Sequence, residues 1–111
     1  MGKAQILVVE DDRIVAKDIQ NSLKNLDFDV CASVPSGEEA LEKAEEQRPD
    51  LVLMDIMLKS EMNGTEAAEQ IRSQFNYRLS TSRLTLMMRY WKVQKKPSRL
   101  VILLSHLKKE N

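Results

Sequence analysis

Residues 51–55 constrain this chain more than any other stretch, because four apolar residues (Leu-Val-Leu-Met) run directly into an aspartate. A short apolar run that follows the turn residues Pro49 and Asp50 is typical of a strand buried on both faces, as in parallel sheets. Open α/β sheets place their ligands at the carboxyl ends of such strands. Asp55 therefore stands where a sheet of this kind places a functional residue.

The rest of the chain before residue 77 alternates between strand and helix patterns. Strands are predicted at residues 5–9 and 29–34, and helices at residues 13–26, 37–48 and 65–75. Candidate helix N-caps are Asp12, Ser36, and Asn63 or Thr65. The apolar residues that give the first helix its periodicity are Ile14, Val15, Ile19, Leu23 and Leu26. This alternation predicts a doubly wound parallel α/β sheet with right-handed crossovers.

Composition narrows the class of protein. A length of 111 residues suits one domain, and 42% hydrophobic residues suffice for one modest core. No apolar run reaches the length of a membrane span, and residues 1–5 lack a leader pattern, so we expect no membrane association and a cytoplasmic location. The single cysteine, Cys31, provides neither a disulfide nor a metal-site spacing and is interpreted as a small buried hydrophobe.

Charge divides the chain at residue 76. Residues 1–76 contain 16 acidic and 8 basic residues, whereas residues 77–111 contain 9 basic residues and one acidic residue. Asymmetry of this kind is typical of a tail that binds nucleic acid or an acidic partner. A difference in charge also arises when two segments of a chain have different origins. The sequence leaves both interpretations open.

Acidic residues end two of the predicted strands. Glu10 and Asp11 directly follow the first strand, and Asp55 ends the third. Parallel strands end at the same edge of a sheet, so these carboxylates are expected to converge and to repel one another. Mg²⁺ relieves such repulsion, because it prefers carboxylate, water and phosphate oxygens. An aspartate beside a bound cation is also able to accept a phosphoryl group, which is the role we predict for Asp55.

Three stretches resemble the receiver domain of two-component response regulators. They are residues 6–12 (Ile-Leu-Val-Val-Glu-Asp-Asp), residues 50–58 (Asp-Leu-Val-Leu-Met-Asp-Ile-Met-Leu) and residues 62–68 (Met-Asn-Gly-Thr-Glu-Ala-Ala). The resemblance covers residues 4–76, and its motifs are specific in order and spacing. It implies a five-stranded, flavodoxin-like doubly wound sheet, of which residues 1–76 supply the first three strands and three helices.

The resemblance also implies a function. Asp55 would accept a phosphoryl group from a histidine kinase or a phosphotransfer protein, and the domain would be no enzyme beyond forming and hydrolysing its own aspartyl phosphate. The implied Mg²⁺ ligands are the carboxylates of Asp11 and Asp55, the backbone carbonyl of Met57, and Glu10 through a water molecule. Lys59 stands where the family usually has proline, and the loop that follows is one residue longer, but neither change affects a ligand.

Residues 77–111 depart from the family pattern. The resemblance implies a fourth strand that ends in Thr or Ser and a fifth that ends in Lys-Pro, and neither motif is in place. Lys96-Pro97 precedes an apolar run instead of ending one. We interpret the segment as an atypical basic tail with a candidate helix at residues 83–94 and a candidate strand at residues 100–104. That strand is a candidate for the open edge of the third strand, within one chain or between two chains in a homodimer.

A second hypothesis is that residues 77–111 are an out-of-frame reading of the rest of the domain. In that hypothesis each new codon takes the last base of one codon and the first two bases of the next. Three shifted codons are then fixed by the genetic code: Asp from residues 87–88, Leu from residues 90–91 and Glu from residues 91–92. Codon degeneracy permits Pro-Val-Ile-Tyr-Leu-Thr-Ala from residue 77 onward and Gly-Tyr-Ile-Ile-Lys-Pro from residue 100 onward. These strings contain the missing Thr and Lys-Pro.

Two other functions are weighed against the phosphoacceptor. Phosphatases of the haloacid-dehalogenase type also use a strand-end aspartate, but they need Asp-x-Asp, and here the second position is Met57. The basic tail, with Tyr77, Tyr90 and Trp91 among its bases, could bind phosphates of a nucleic acid or another acidic partner, but its bases are scattered and form no known motif. His106 has no candidate partner nearby in the sequence and is interpreted as a surface residue.

Overall fold

The described part of the chain, residues 4–59, 61–81 and 99–104, folds in the computed structural model into five parallel strands and three helices, with Ser80 and Thr81 described for their backbone only. The strands are β1 (Gln5–Val9), β2 (Asp29–Val34), β3 (Leu51–Asp55), β4 (Arg78–Thr81) and β5 (Leu100–Leu104); the helices are α1 (Arg13–Asn25), α2 (Gly37–Gln47) and α3 (Gly64–Phe75). The predicted parallel α/β fold is confirmed, and each element predicted before residue 77 agrees to within one residue at either end.

Side chains at the helix N-termini explain why the helices begin where they do. The Asp12 carboxylate accepts hydrogen bonds from the backbone N–H groups of Ile14 and Val15 at the start of α1. Ser36 caps α2 in the same way, and Asn63 forms a capping box with Glu66 at the start of α3. Each cap satisfies backbone donors that the first turn leaves without a helical partner.

Two apolar clusters fill the two faces of the sheet. Helices α2 and α3 cover one face through Ala40, Ala44, Ala67, Ala68 and Ile71. Helix α1 covers the other face through Ile19 and Leu23. The central strands contribute to both clusters: in β3, Val52 and Met54 face α2 and α3, whereas Leu51 and Leu53 face α1. Buried aliphatic residues on both faces are the expected result of a parallel sheet between two helical layers.

Two of the apolar residues predicted to face the core from α1 are exposed. Ile14 is 77% exposed and Leu26 is 40% exposed, whereas Ala16, Ile19 and Leu23 are buried. Ile14 precedes Ile19 by five residues, so at about 100° per residue it points roughly 140° away from the buried stripe. Leu26 lies beyond the last helical residue, where the helical periodicity no longer applies.

The order of the strands across the sheet is β2-β1-β3-β5-β4, so the last strand in the sequence lies inside the sheet. Strand β5 is aliphatic throughout, and Val101 to Leu104 are all buried. Strand β4 is short and polar, and its Leu79 is 38% exposed. An aliphatic strand suits a position between two neighbours, and a short polar one suits an edge. The sequence patterns do not predict β4.

Tyr77 joins the start of β4 to the rest of the core. Its side chain is buried, and its hydroxyl donates a hydrogen bond to the backbone carbonyl of Pro49 at 2.5 Å. Burial raises the pKa of the Tyr77 hydroxyl to about 12.

The predicted helix at residues 83–94 and the predicted surface position of His106 lie outside the described residues. Within the described ranges, no helix is both long and apolar enough to cross a membrane.

Candidate functional site

The ends of β1 and β3 bring three carboxylates together. The two strands are hydrogen-bonded neighbours, and Val9 of β1 pairs with Met54 of β3. The residues that follow these paired positions are Glu10 and Asp55. One carboxylate oxygen from each of Glu10, Asp11 and Asp55 lies within 4.8 Å of the other two. The convergence predicted from the strand ends is therefore present.

Burial and backbone hydrogen bonds orient two of these carboxylates. Glu10 is 3% exposed and Asp55 is 1% exposed, whereas Asp11 is half-buried. Glu10 accepts a hydrogen bond from the backbone N–H of Asp12 at 2.8 Å, and Asp55 accepts one from the backbone N–H of Met57 at 2.9 Å. In each case the bond uses one carboxylate oxygen, and the second oxygen is also buried. The acids are thus held in place by the turns that directly follow their strands.

Gly64 lets helix α3 approach the backbone of Asp55. A Cβ atom at Gly64 would lie 2.0 Å from the carbonyl oxygen of Asp55 and 2.8 Å from the Cα of Ile56. No side chain fits at those distances, so only glycine permits this contact. The sequence signals a turn at Asn63-Gly64, but it does not reveal that the first residue of α3 packs against the acidic strand end. Gly64 therefore determines how closely α3 approaches the acidic strand end, which sequence reasoning does not reveal.

The three acids fit a divalent cation of the Mg²⁺ type. Mg²⁺ takes oxygen ligands and is usually held by one or two carboxylates together with water and phosphate oxygens. Asp11 and Asp55 supply such carboxylates, and Glu10 lies close enough to act directly or through water. The Met57 backbone lies beside Asp55 through the N–H bond described above, and a role for its carbonyl as a ligand stays a prediction. A cation here would offset the repulsion among the three negative charges.

Strand β5 forms the other side of the site. Leu104, its last residue, pairs in register with Asp55, and its carbonyl accepts a hydrogen bond from the backbone N–H of Ile56 at 3.1 Å. Strand β4 does end in a hydroxyl residue, Thr81, but it lies beyond β5 and thus two strands, roughly 10 Å, from β3. The strand that adjoins Asp55 therefore ends in leucine, and Lys96-Pro97 lies outside the described residues.

Comparisons with known proteins agree on one family. The family model described as "Response regulator receiver domain" matches residues 6–89. The alkaline phosphatase synthesis transcriptional regulatory protein PhoP of Bacillus subtilis is 40% identical over 70 residues, which are 63% of this chain and 28% of that protein. The chemotaxis protein CheY of Listeria monocytogenes is 40% identical over 67 residues, 60% of this chain and 56% of that protein. The aligned part thus spans about a quarter of the length of PhoP and slightly more than half of the length of CheY.

Solved structures of receiver domains have the same architecture. The receiver domain of the sensor histidine kinase PA1611 from Pseudomonas aeruginosa, solved with a magnesium ion in its active site cleft, has a TM-score of 0.66 at 29% identity and covers 98% of this chain and 88% of that one. The signal receiver domain of a modulated diguanylate cyclase from Desulfovibrio desulfuricans, described as an example of alternate folding, has a TM-score of 0.65 at 28% identity, over 91% of this chain and 81% of that one. The flavodoxin-like fold class predicted from the sequence is confirmed.

Proposed function

The chain belongs to the response regulator receiver domain family, and on that premise we propose that it accepts a phosphoryl group on Asp55 in a two-component phosphorelay. The observation that carries this proposal is the convergence of Glu10, Asp11 and Asp55 within 4.8 Å at the carboxyl end of two neighbouring strands. A nucleophilic carboxylate beside two further acids suits transfer of a phosphoryl group with help from a divalent cation.

The proposed reaction begins with attack of an Asp55 carboxylate oxygen on the phosphorus of a phosphohistidine. An O–P bond forms, the P–N bond breaks, and the histidine nitrogen leaves with the bonding electrons. The hydrogen bond from Met57 N–H to Oδ1 of Asp55 orients the carboxylate. Mg²⁺, when bound, neutralises charge on the phosphoryl oxygens. Its ligands would be Asp11, Asp55 and the Met57 carbonyl, with Glu10 acting through water.

The proposed partners follow from this chemistry. The phosphoryl donor is a histidine kinase or a phosphotransfer protein, and the proposed location is the cytoplasm. The chain is a substrate of its donor, and its own chemistry is limited to forming and hydrolysing one acyl phosphate. The family match gives no support to the haloacid-dehalogenase alternative, which also lacks its second aspartate at Met57. Binding of nucleic acid by the basic segment stays a prediction, because most of its bases lie outside the described residues.

Treatment with acetyl phosphate tests the proposal. We expect the parent protein to gain the mass of one phosphoryl group in the presence of Mg²⁺. It should remain unmodified when EDTA is added before acetyl phosphate. Peptide mapping after borohydride reduction should place the group on Asp55. The Asp55→Asn variant should gain nothing, and Asp11→Asn should react much more slowly because it lacks a cation ligand.

Glu42→Gln is the matched control, because it removes one negative charge from an exposed position of α2. It should be modified as readily as the parent. Modification of Asp55→Asn to the same extent as the parent, or labelling that does not depend on Mg²⁺, would contradict the proposed acceptor.

A further inference from the structure

Three neighbouring strands present side chains to the same side of the acceptor site. Glu10 continues the alternation of Ile6 and Val8, which face α1, and Asp55 continues that of Leu51 and Leu53. In β5, Leu104 belongs to the same cluster and pairs in register with Asp55. Side chains at paired positions of neighbouring strands point to the same face of a sheet. At the carboxyl ends of these three strands, β1 and β3 therefore present the acids Glu10 and Asp55, and β5 presents Leu104.

We propose that Leu104 forms the aliphatic wall of the acceptor site and makes the site prefer a bound cation over a bound phosphoryl anion. A transferred phosphoryl group has three peripheral oxygens, and the two acids beside Asp55 that would help to hold a cation, Glu10 and Asp11, both follow β1. Leu104 pairs in register with Asp55, so a phosphoryl oxygen on the β5 side would face an aliphatic side chain that has no hydrogen-bond donor. Oxyanions are stabilised by donors aimed at their oxygens, so this wall withholds stabilisation from the phosphoryl group.

The backbone fixes this wall in place. The Leu104 carbonyl accepts the hydrogen bond from Ile56 N–H, directly after the acceptor, and the Leu104 side chain is 3% exposed in the cluster that faces α1. Strand β5 is also hydrogen-bonded to β4 on its other side. Because β5 is held between two strands, Leu104 cannot withdraw from Asp55 without breaking the sheet. The inference rests on the proposed function, since it concerns which ligand the same site prefers.

The test compares Leu104→Thr with Leu104→Val, two variants of the same shape that differ by one hydroxyl group. The probe is fluoroberyllate, an anionic mimic of the phosphoryl group, and its dissociation constant is measured by calorimetry at saturating Mg²⁺. We expect the threonine variant to bind fluoroberyllate about tenfold more tightly than the valine variant, because the hydroxyl donates a hydrogen bond to an anion. Affinity for Mg²⁺ alone should be the same in both, because the three acids are unchanged.

A second pair of variants controls for the general effect of a hydroxyl group in this strand. Ile102→Thr and Ile102→Val change a buried residue on the same face, two positions before Leu104. They should bind fluoroberyllate equally well. If Leu104→Thr does not fold, Leu104→Ala replaces it: the smaller side chain admits water to the anion and should bind fluoroberyllate several-fold more tightly than Leu104→Val.

The outcomes separate this inference from the proposed function. Equal affinity of the Leu104 variants for fluoroberyllate, including binding by neither, overturns the role of the leucine wall. Failure of the parent to bind Mg²⁺, or to become modified on Asp55 by acetyl phosphate, overturns the proposed function instead. A parent that is modified on Asp55 while the Leu104 variants remain equal would leave the acceptor role intact and remove only the inference.

Discussion

Neutralising Asp55 should stabilise the protein when no divalent cation is present. The carboxylate is 1% exposed and lies within 4.8 Å of oxygens from two other acids, so folding brings three negative charges together. In the Asp55→Asn variant the side-chain oxygen can still accept the hydrogen bond from Met57 N–H. The substitution therefore removes charge while it preserves the shape and the hydrogen bond of the strand end.

The size of the effect follows from the geometry. Two unit charges 4.8 Å apart repel by about 3.5 kcal/mol at an effective dielectric constant of about 20. The half-buried Asp11 is partly screened by solvent and salt, which reduces its share. We therefore expect the free energy of unfolding to rise by about 1–3 kcal/mol in Asp55→Asn, at low ionic strength and in EDTA.

Urea denaturation with and without Mg²⁺ measures both the stability gained by removing the Asp55 charge and the stability gained from a bound cation. A ligand that binds only the folded state adds about 2.7 kcal/mol at one hundred times its dissociation constant. The parent should gain this stability with Mg²⁺, whereas Asp55→Asn should gain much less because it has lost a ligand. The stability advantage of the variant should therefore shrink or reverse when Mg²⁺ is added. Glu42→Gln should stay within about 0.5 kcal/mol of the parent in both conditions.

Two results would refute this reasoning, one for the repulsion and one for the cation site. If Asp55→Asn is no more stable than the parent in EDTA, the three acids do not repel one another in the folded protein as their distances require. If the variant also gains as much stability from Mg²⁺ as the parent does, the cation binds elsewhere.

Three further predictions concern residues that shape the site and the core. Gly64→Ala should lower the free energy of unfolding by at least about 2 kcal/mol in urea, because its Cβ would collide with the Asp55 carbonyl; Thr65→Ala, at the next and exposed position of α3, should have a small effect. Tyr77→Phe should cost about 1 kcal/mol at pH 7 through the lost hydrogen bond to Pro49. Because the pKa of Tyr77 is raised to about 12 in the folded protein, the unfolded state ionises first as pH rises above 10, and the parent should lose roughly 2 kcal/mol of stability between pH 10 and pH 12, whereas Tyr77→Phe should show a weaker decline over that interval. Asn63→Ala should lower the thermal midpoint through loss of about 1 kcal/mol of capping, and an unchanged midpoint would contradict the capping box.

The first three strands and the helices between them could be predicted because several local signals agree. Strands β1 and β3 are largely apolar runs, whereas β2 (Asp-Val-Cys-Ala-Ser-Val) is mixed and is marked by the turn residues that follow it. Each helix begins after a residue that caps it, such as Asp12 or Asn63. The acidic site could be predicted for the same reason. In a parallel sheet, residues that end neighbouring strands must lie at one edge, so Glu10 and Asp55 had to converge once the strands were identified.

Positions that depend on contacts distant in the sequence could not be predicted. The Arg-Leu-Ser-Thr segment of β4 has no apolar run, and it is a strand because β5 offers it a free edge. The order of β5 and β4 across the sheet depends on which strand buries more apolar surface beside β3. The sequence of either strand alone does not predict that order. The need for glycine at residue 64 arises from the carbonyl of Asp55, nine residues earlier. The exposure of Ile14 depends on which stripe of α1 meets the sheet.

The reading frame of residues 77–111 determines whether Leu104 is the native neighbour of Asp55. The net charge of the chain changes sign at residue 76, and the strand ends implied by family resemblance disappear at the same point. In the out-of-frame hypothesis a one-base shift near codon 76 restores strands that end in Thr and in Lys-Pro. Sequencing of the coding DNA tests this hypothesis, because a one-base shift would be visible there. If no one-base shift yields those strand ends, the printed residues are the native ones, and the leucine beside Asp55 is a property of this protein and not of an altered reading frame.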